Sequence, residues 1–157
     1  NTNGSCVDGV MKGGVGGGGG RDYSGSVILA FSAHFGSENS LQAEGKAMLT
    51  RLDLCFQSPI TLAEVETNSI ILYNSLLSKG VIPWSISYIF RRCRLFISSN
   101  THVSHNWREG NQAADHLASL TAPVSSISYF SSIKSLSPEG VNIIIGDALR
   151  LHFFRHP

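Results

Sequence analysis

Residues 13–20 read GGVGGGGG, seven glycines in eight positions, and this run limits the fold more than any other stretch. Glycine loses more conformational freedom on folding than any other residue and has no side chain to pack. A loop or a poor edge strand is therefore expected here. A phosphate-binding loop is disfavoured, because that motif needs Lys and then Ser or Thr after its last glycine, and Arg21 and Asp22 follow instead. Asp22-Tyr23-Ser24-Gly25 is a turn sequence. In the next ten residues, SVILAFSAHF (26–35), Val27, Leu29, Phe31, Ala33 and Phe35 alternate onto one face, as in a strand. Gly25 ahead of it suggests a hairpin with the glycine-rich stretch.

Helical spacing takes over at residues 40–56. Leu41, Met48, Leu52 and Cys55 form an apolar stripe, and Glu44 falls on it. A carboxylate on a face that should be buried is costly unless it is paired or coordinates a cation. Pro59 ends this helix. TLAEVET (61–67) alternates as a strand, with Leu62, Glu64 and Glu66 opposite Ala63 and Val65. Asn68 follows at the strand end, in position to cap the helical run SIILYNSLLS, where Ile70, Tyr73 and Leu77 share one side. A further helix is expected at 84–97 with a core stripe of Ile86, Ile89, Phe90, Cys93 and Phe96. Arg91, Arg92 and Arg94 fall off that stripe as the chain's basic cluster, suited to a solvated face or to tracking phosphates. NTHVSHN (100–106) reads as a short strand. Asn111 can cap a helix over 112–120, in whose first turns Asp115 suits the helix dipole. Past residue 120 the chain is serine-rich, with apolar VNIII (141–145) and LHFF (151–154) able to pack in part.

At 157 residues the chain is about one domain long. Twelve Lys+Arg against eleven Asp+Glu, a net charge of +1, exclude a highly charged disordered chain and provide no strong overall basic field. The longest uninterrupted aliphatic and aromatic run, Val27 to Phe31, is far short of the ~20 residues a membrane-spanning helix needs, so no membrane partner is expected. Cys6, Cys55 and Cys93 are odd in number and widely spaced, without zinc-site spacing. They read as reduced thiols, two of them in the core. With no signal peptide after Asn1, this fits an intracellular compartment, nucleus or cytoplasm.

Four segments together carry one pattern. The opening NTNGS (Asn1 to Ser5) precedes the glycine run and RDYSG (Arg21 to Gly25). SLQAE (Ser40 to Glu44) opens the first helix. EVETNS (Glu64 to Ser69) ends a strand, and HNWREGNQAADHLA (His105 to Ala118) spans the last helix. The ordered set resembles the ribonuclease H-like domain of plant reverse transcriptases and their genomic relatives, from Asn1 to about Ala118. The resemblance implies an α/β fold, a mixed five-stranded sheet flanked by helices. It also implies a domain over residues 1–120 with a shortened first strand, and a tail over 121–157 that is partly packed or flexible.

The resemblance also implies chemistry. Such domains cut the RNA strand of an RNA–DNA hybrid with two magnesium ions, which activate a water and stabilise the leaving oxygen. Magnesium takes oxygen ligands, mostly carboxylates and waters. The family's four carboxylate positions fall on Asn3, Glu44, Asn68 and Asp115, with His105 as a further catalytic candidate. Two of the four are therefore amides, and Asn3 stands where the family bridges both ions. Asp8, in the following loop, and Asp22, at a turn, are not expected to substitute. Nucleic-acid contacts are expected from Gly4, Ser5, Arg108, Arg91, Arg92 and Arg94, with a hybrid or other nucleic acid as partner and the chain as a monomer. The expectation is a hybrid-nuclease-class domain with an impaired site and weakened Mg2+ binding. The alternatives are a non-catalytic binding or interaction module and a decayed retroelement fragment.

Overall fold

The computed structural model describes residues 2–6, 14–22, 26–36, 38–58, 60–107, 112–120, 127–130 and 133–148. Along them run β1 (Thr2–Cys6), β2 (Gly14–Arg21), β3 (Val27–His34), α1 (Ser40–Gln57), β4 (Glu64–Thr67) and α2 (Ile70–Leu76). After a 3-10 turn at Trp84–Ile86 come α3 (Ser87–Phe96), β5 (His102–His105), α4 (Gln112–Ser119), β6 (Ile127–Phe130) and α5 (Pro138–Ala148). The strands form one sheet in the order β5-β4-β1-β2-β3-β6. β1, β2, β3 and β6 pair antiparallel, while β1–β4 and β4–β5 are parallel, so the sheet is mixed as expected.

The glycine run is neither a loop nor an edge. It is β2, paired on one side with β1 and on the other with β3. The reason is tertiary. A Cβ built on Gly17 would lie 2.4 Å from the backbone nitrogen of Ala118 and 2.7 Å from Leu117 C and Cβ. The absence of side chains lets α4 lie directly on the strand, and this contact offsets the entropy that glycine loses.

β3 forms where the alternation placed it. Phe31 and Ala33 are fully buried and pack with Ala47 of α1, with Phe35 against them. Ala30, one residue out of phase, joins Ala113 and Leu117 of α4 and Ile144 of α5. Successive strand residues point to opposite faces, so α1 and α4 cover opposite sides of the sheet. Val27 departs from the expected face. The register shifts between Gly20 and Arg21, a bulge that inserts one residue and turns Val27 toward the Ala30 cluster.

The α1 stripe is also as read: Met48, Leu52 and Cys55 are buried, and Asn39 caps the helix through a capping box with Gln42. α2 differs. Its buried residues are Leu72 and Ser75, while Ile70 is exposed, and its N-cap is Ser69, not Asn68. α3 buries Ile89, Phe90 and Cys93 with Ile86 just ahead of it, and these join Met48, Leu52, Val65 and Leu72 in the larger core.

The sheet has one strand more than the five expected. β6 pairs with β3 from Ala30↔Phe130 to Ala33↔Ile127, and Phe130 and Val141 pack on the Ala30 cluster beside Leu136 and Ile144. VNIII therefore lies in α5 and is part of this core, while LHFF lies outside the described residues. Among the described residues, no helix is long and apolar enough to cross a membrane.

Two buried ionisable groups stand out. Arg51 continues the Ala43–Ala47 line of α1 toward the sheet and is only 5% exposed. Its Nε and Nη1 have no hydrogen-bond partner among the described residues. Burial pulls its guanidinium below the usual value, and nearby Cys55, Glu66 and Glu64 act in the opposite direction. Cys93 is 1% exposed, and burial pushes its thiol up to about 12. In the unfolded chain this thiol ionises near pH 9, so between there and pH 12 the unfolded state holds fewer protons than the folded one. Cys93 should therefore reduce stability in that window by up to about 1.4 kcal/mol per pH unit. Urea midpoints of wild type and Cys93→Ala should run parallel below pH 9 and converge or cross above it; parallel curves throughout would refute this.

Candidate active site

The site is set by the parallel start of β1 beside the end of β4. Thr2 pairs with Thr67, so Asn3, next along β1, and Asn68, at the bend that follows β4, each lie one residue beyond this contact. On the other side of β4, Thr67 pairs with His105 at the end of β5. The Asn106 N–H donates to the Thr67 carbonyl at 2.9 Å and holds the chain leaving β5 against this end of the sheet. α1 and α4 both pack on β1. The elements bearing Asn3, Glu44, Asn68, His105 and Asp115 thus adjoin β1 and β4.

Asn68 is half-buried, and its side-chain oxygen is fully buried. Glu44 is half-buried between the fully covered Ala43 and Gly45. His105 is half-buried, and its Nε2 lies 3.2 Å from the Asn68 carbonyl. A carbonyl only accepts, so Nε2 carries the proton and donates. For Asn3, Gly4, Ser5 and Asp115 the structure fixes the backbone, on β1 and α4, without describing the side chains. Arg108, Asn111 and Asp8 lie outside the described residues.

Among the described residues, Asp22 and Glu64 are engaged elsewhere. The Asp22 carboxylate accepts from the Ser26 N–H at 2.9 Å and closes the β2–β3 turn. Glu64 accepts from Ser104 Oγ at 2.7 Å and contacts His102 Nδ1 at 3.1 Å, on the exposed part of β4 and β5. Among the described residues, no three His, Cys, Asp or Glu side chains gather as a metal site. In the donor set that the family resemblance implies, the amide oxygens at 3 and 68 bring no negative charge, and such a set does not fit a pair of divalent cations.

The basic helix is also partly committed. Arg91 and Arg92 are exposed, but Arg94 Nη2 donates to the Ser75 carbonyl at 2.7 Å and to Ser78 Oγ at 2.9 Å, tying α3 to the end of α2. Sequence reading did not find the cluster beside Asn68 in which Tyr73 and Trp107 flank His105. Tyr73 and His105 come from separate elements, so only folding reveals their contact.

A family model described as reverse transcriptase-like matches residues 1–121. The chain belongs to the reverse transcriptase-like family. The family match ends before β6 and α5, so those two elements lie beyond it. Solved structures share the fold. RNase H1 from the halophilic archaeon Halobacterium salinarum aligns with a TM-score of 0.66 at 18% identity, over 75% of this chain and 91% of that one. The N-terminal RNase H domain of a Mycobacterium tuberculosis protein gives 0.68 at 17%, over 75% and 87%. LC11-RNase H1 in complex with an RNA/DNA hybrid gives 0.66 at 23%, over 75% and 91%. No curated protein sequence matches the chain. Family and fold together identify a ribonuclease H-like domain.

Proposed function

We propose that this reverse transcriptase-like domain binds nucleic acid, with an RNA–DNA hybrid as its ligand, and cleaves it weakly or not at all. The observation that supports the reading is the pairing of Thr2 with Thr67: the residue after each is a neutral amide, Asn3 and Asn68, where the family resemblance calls for a carboxylate. The hybrid-bound LC11-RNase H1 of the same fold supports the choice of ligand. A bound metal would supply charge neutralisation and an activated water. Glu44 and Asp115 would be its charged ligands, with no others from the four positions. Binding itself needs no metal: exposed Arg91 and Arg92 can meet phosphates, while Arg94 serves the fold.

Anisotropy of a labelled RNA–DNA hybrid, titrated across salt with and without magnesium, tests this. Binding should be salt-dependent and nearly independent of magnesium. Arg91→Gln/Arg92→Gln should weaken it and reduce the slope of log affinity against log salt by about 2, one for each phosphate left without its arginine. Failure of wild type to bind hybrid at low salt would end the binding reading. Rapid magnesium-dependent cleavage by wild type would end the impaired one.

A further inference from the structure

We propose that Tyr73, His105 and Trp107 form a stacking platform for an unpaired nucleobase beside the candidate site, an inference that rests on the nucleic-acid reading above. The three rings are in series. Tyr73 of α2 and His105 have centroids 6.0 Å apart at 61°, and His105 and Trp107 are 5.6 Å apart at 81°. The central ring is fixed by its hydrogen bond to Asn68, so the platform adjoins the strand end that carries the candidate site. Perpendicular packing on His105 holds the indole while Trp107 remains 75% exposed.

Exposure alone does not single out Trp107, since Trp84 is more exposed still; what sets Trp107 apart is an indole held open by ring packing on His105. Its chemistry here favours a base over an apolar peptide. Lys79 Nζ sits 5.9 Å from the Tyr73 ring centroid and brings positive charge to the same cluster. Aromatic rings beside cations are the means by which single-stranded nucleic acid is held, with bases on the π-faces and phosphates on the cations. Every base has a π-face, so this contact would add affinity without reading sequence. It would favour a substrate with a splayed or single-stranded segment next to the duplex.

The chain has two tryptophans, and Trp84, 90% exposed before α3, can be removed to leave Trp107 as the sole indole reporter. In a Trp84→Phe background, a hybrid with a single-stranded overhang should quench indole emission, and a blunt hybrid should quench it less. Trp107→Ala should weaken overhang binding about tenfold, the loss expected for one stacked base, and leave its salt slope unchanged. Trp107→Phe should keep most of the affinity. Equal binding of the overhang hybrid by wild type and Trp107→Ala, or equal losses in the Ala and Phe variants, would overturn the platform while hybrid binding stands. Wild type that binds neither hybrid would overturn the nucleic-acid reading itself. Quenching by a protein partner but by no oligonucleotide would assign the surface to protein contact and overturn the proposal.

Discussion

Gly17→Ala should be among the most damaging single-methyl additions available in this chain. The new Cβ would fall 2.4 Å from Ala118 N and 2.7 Å from Leu117 C. Both are backbone atoms of α4, so no rotamer change relieves the clash, and either the helix lifts or the strand bends. Overpacking commonly costs about 1–3 kcal/mol, and a clash between backbones should reach about 3 kcal/mol or more. That is a large part of the ~5–15 kcal/mol that holds a typical domain. The loss should extend to the far side of α4, because Leu117 and Ala113 share a cluster with Ile144 of α5. α5 should therefore loosen with α4, and protection of its amides from hydrogen exchange should fall. Gly80→Ala is the control. A Cβ there meets nothing within 4 Å, so thermal denaturation should shift by no more than the equivalent of about 0.5 kcal/mol. If Gly17→Ala melts with wild type, α4 does not rest on β2 as closely as these distances require.

The same glycine shows where sequence reading stopped. Alternation identifies a strand only through side chains, and β2 has almost none, so its place inside the sheet follows from α4, roughly a hundred residues later. Where side chains carried the pattern, reading was accurate: Phe31 and Ala33 of β3, Met48 and Leu52 of α1, and Phe90 and Cys93 of α3 are buried as their spacing required. α2 failed for the opposite reason. Its run Ile70-Ile71-Leu72-Tyr73 is apolar on all sides, so spacing could not choose a face, and the fold buries Leu72 while Ile70 stays open. β6 is a four-residue strand in a serine-rich segment, and it is recruited by the open edge of β3. In the site, Glu44 was legible as a carboxylate on a buried stripe. Asn3 and Asn68 have no chemical signal of their own and stood out only against the family pattern. Arg51 was legible and missed: it lies four residues beyond Ala47 and eight beyond Ala43, on the line that faces the sheet.

Placing Asp at positions 3 and 68 should produce the largest functional change of any double substitution here. Asp is nearly isosteric with Asn, so the two strand ends should keep their register. Each change replaces a neutral amide oxygen with a charged one, next to elements that carry Glu44 and Asp115. Two unit charges about 4 Å apart interact by about 4 kcal/mol at the effective dielectric near a protein surface, several times the value in bulk water. A divalent cation doubles that attraction, and part of the gain is lost to its dehydration. Magnesium affinity of Asn3→Asp/Asn68→Asp should therefore rise at least about a hundredfold over wild type by calorimetry. Hybrid cleavage should rise with it, since four carboxylates can hold the two ions that an in-line displacement requires. Either single substitution should gain much less: Asp at 3 alone leaves position 68 neutral, and Asp at 68 alone leaves the expected bridging position neutral. The metal-free double variant should melt below wild type because like charges crowd one strand end, and magnesium should reverse that loss. A double variant that gains neither magnesium affinity nor cleavage would remove Asn3 and Asn68 from the site. Wild type that cleaves as fast as the double variant would show that their amide oxygens ligate well enough unaided.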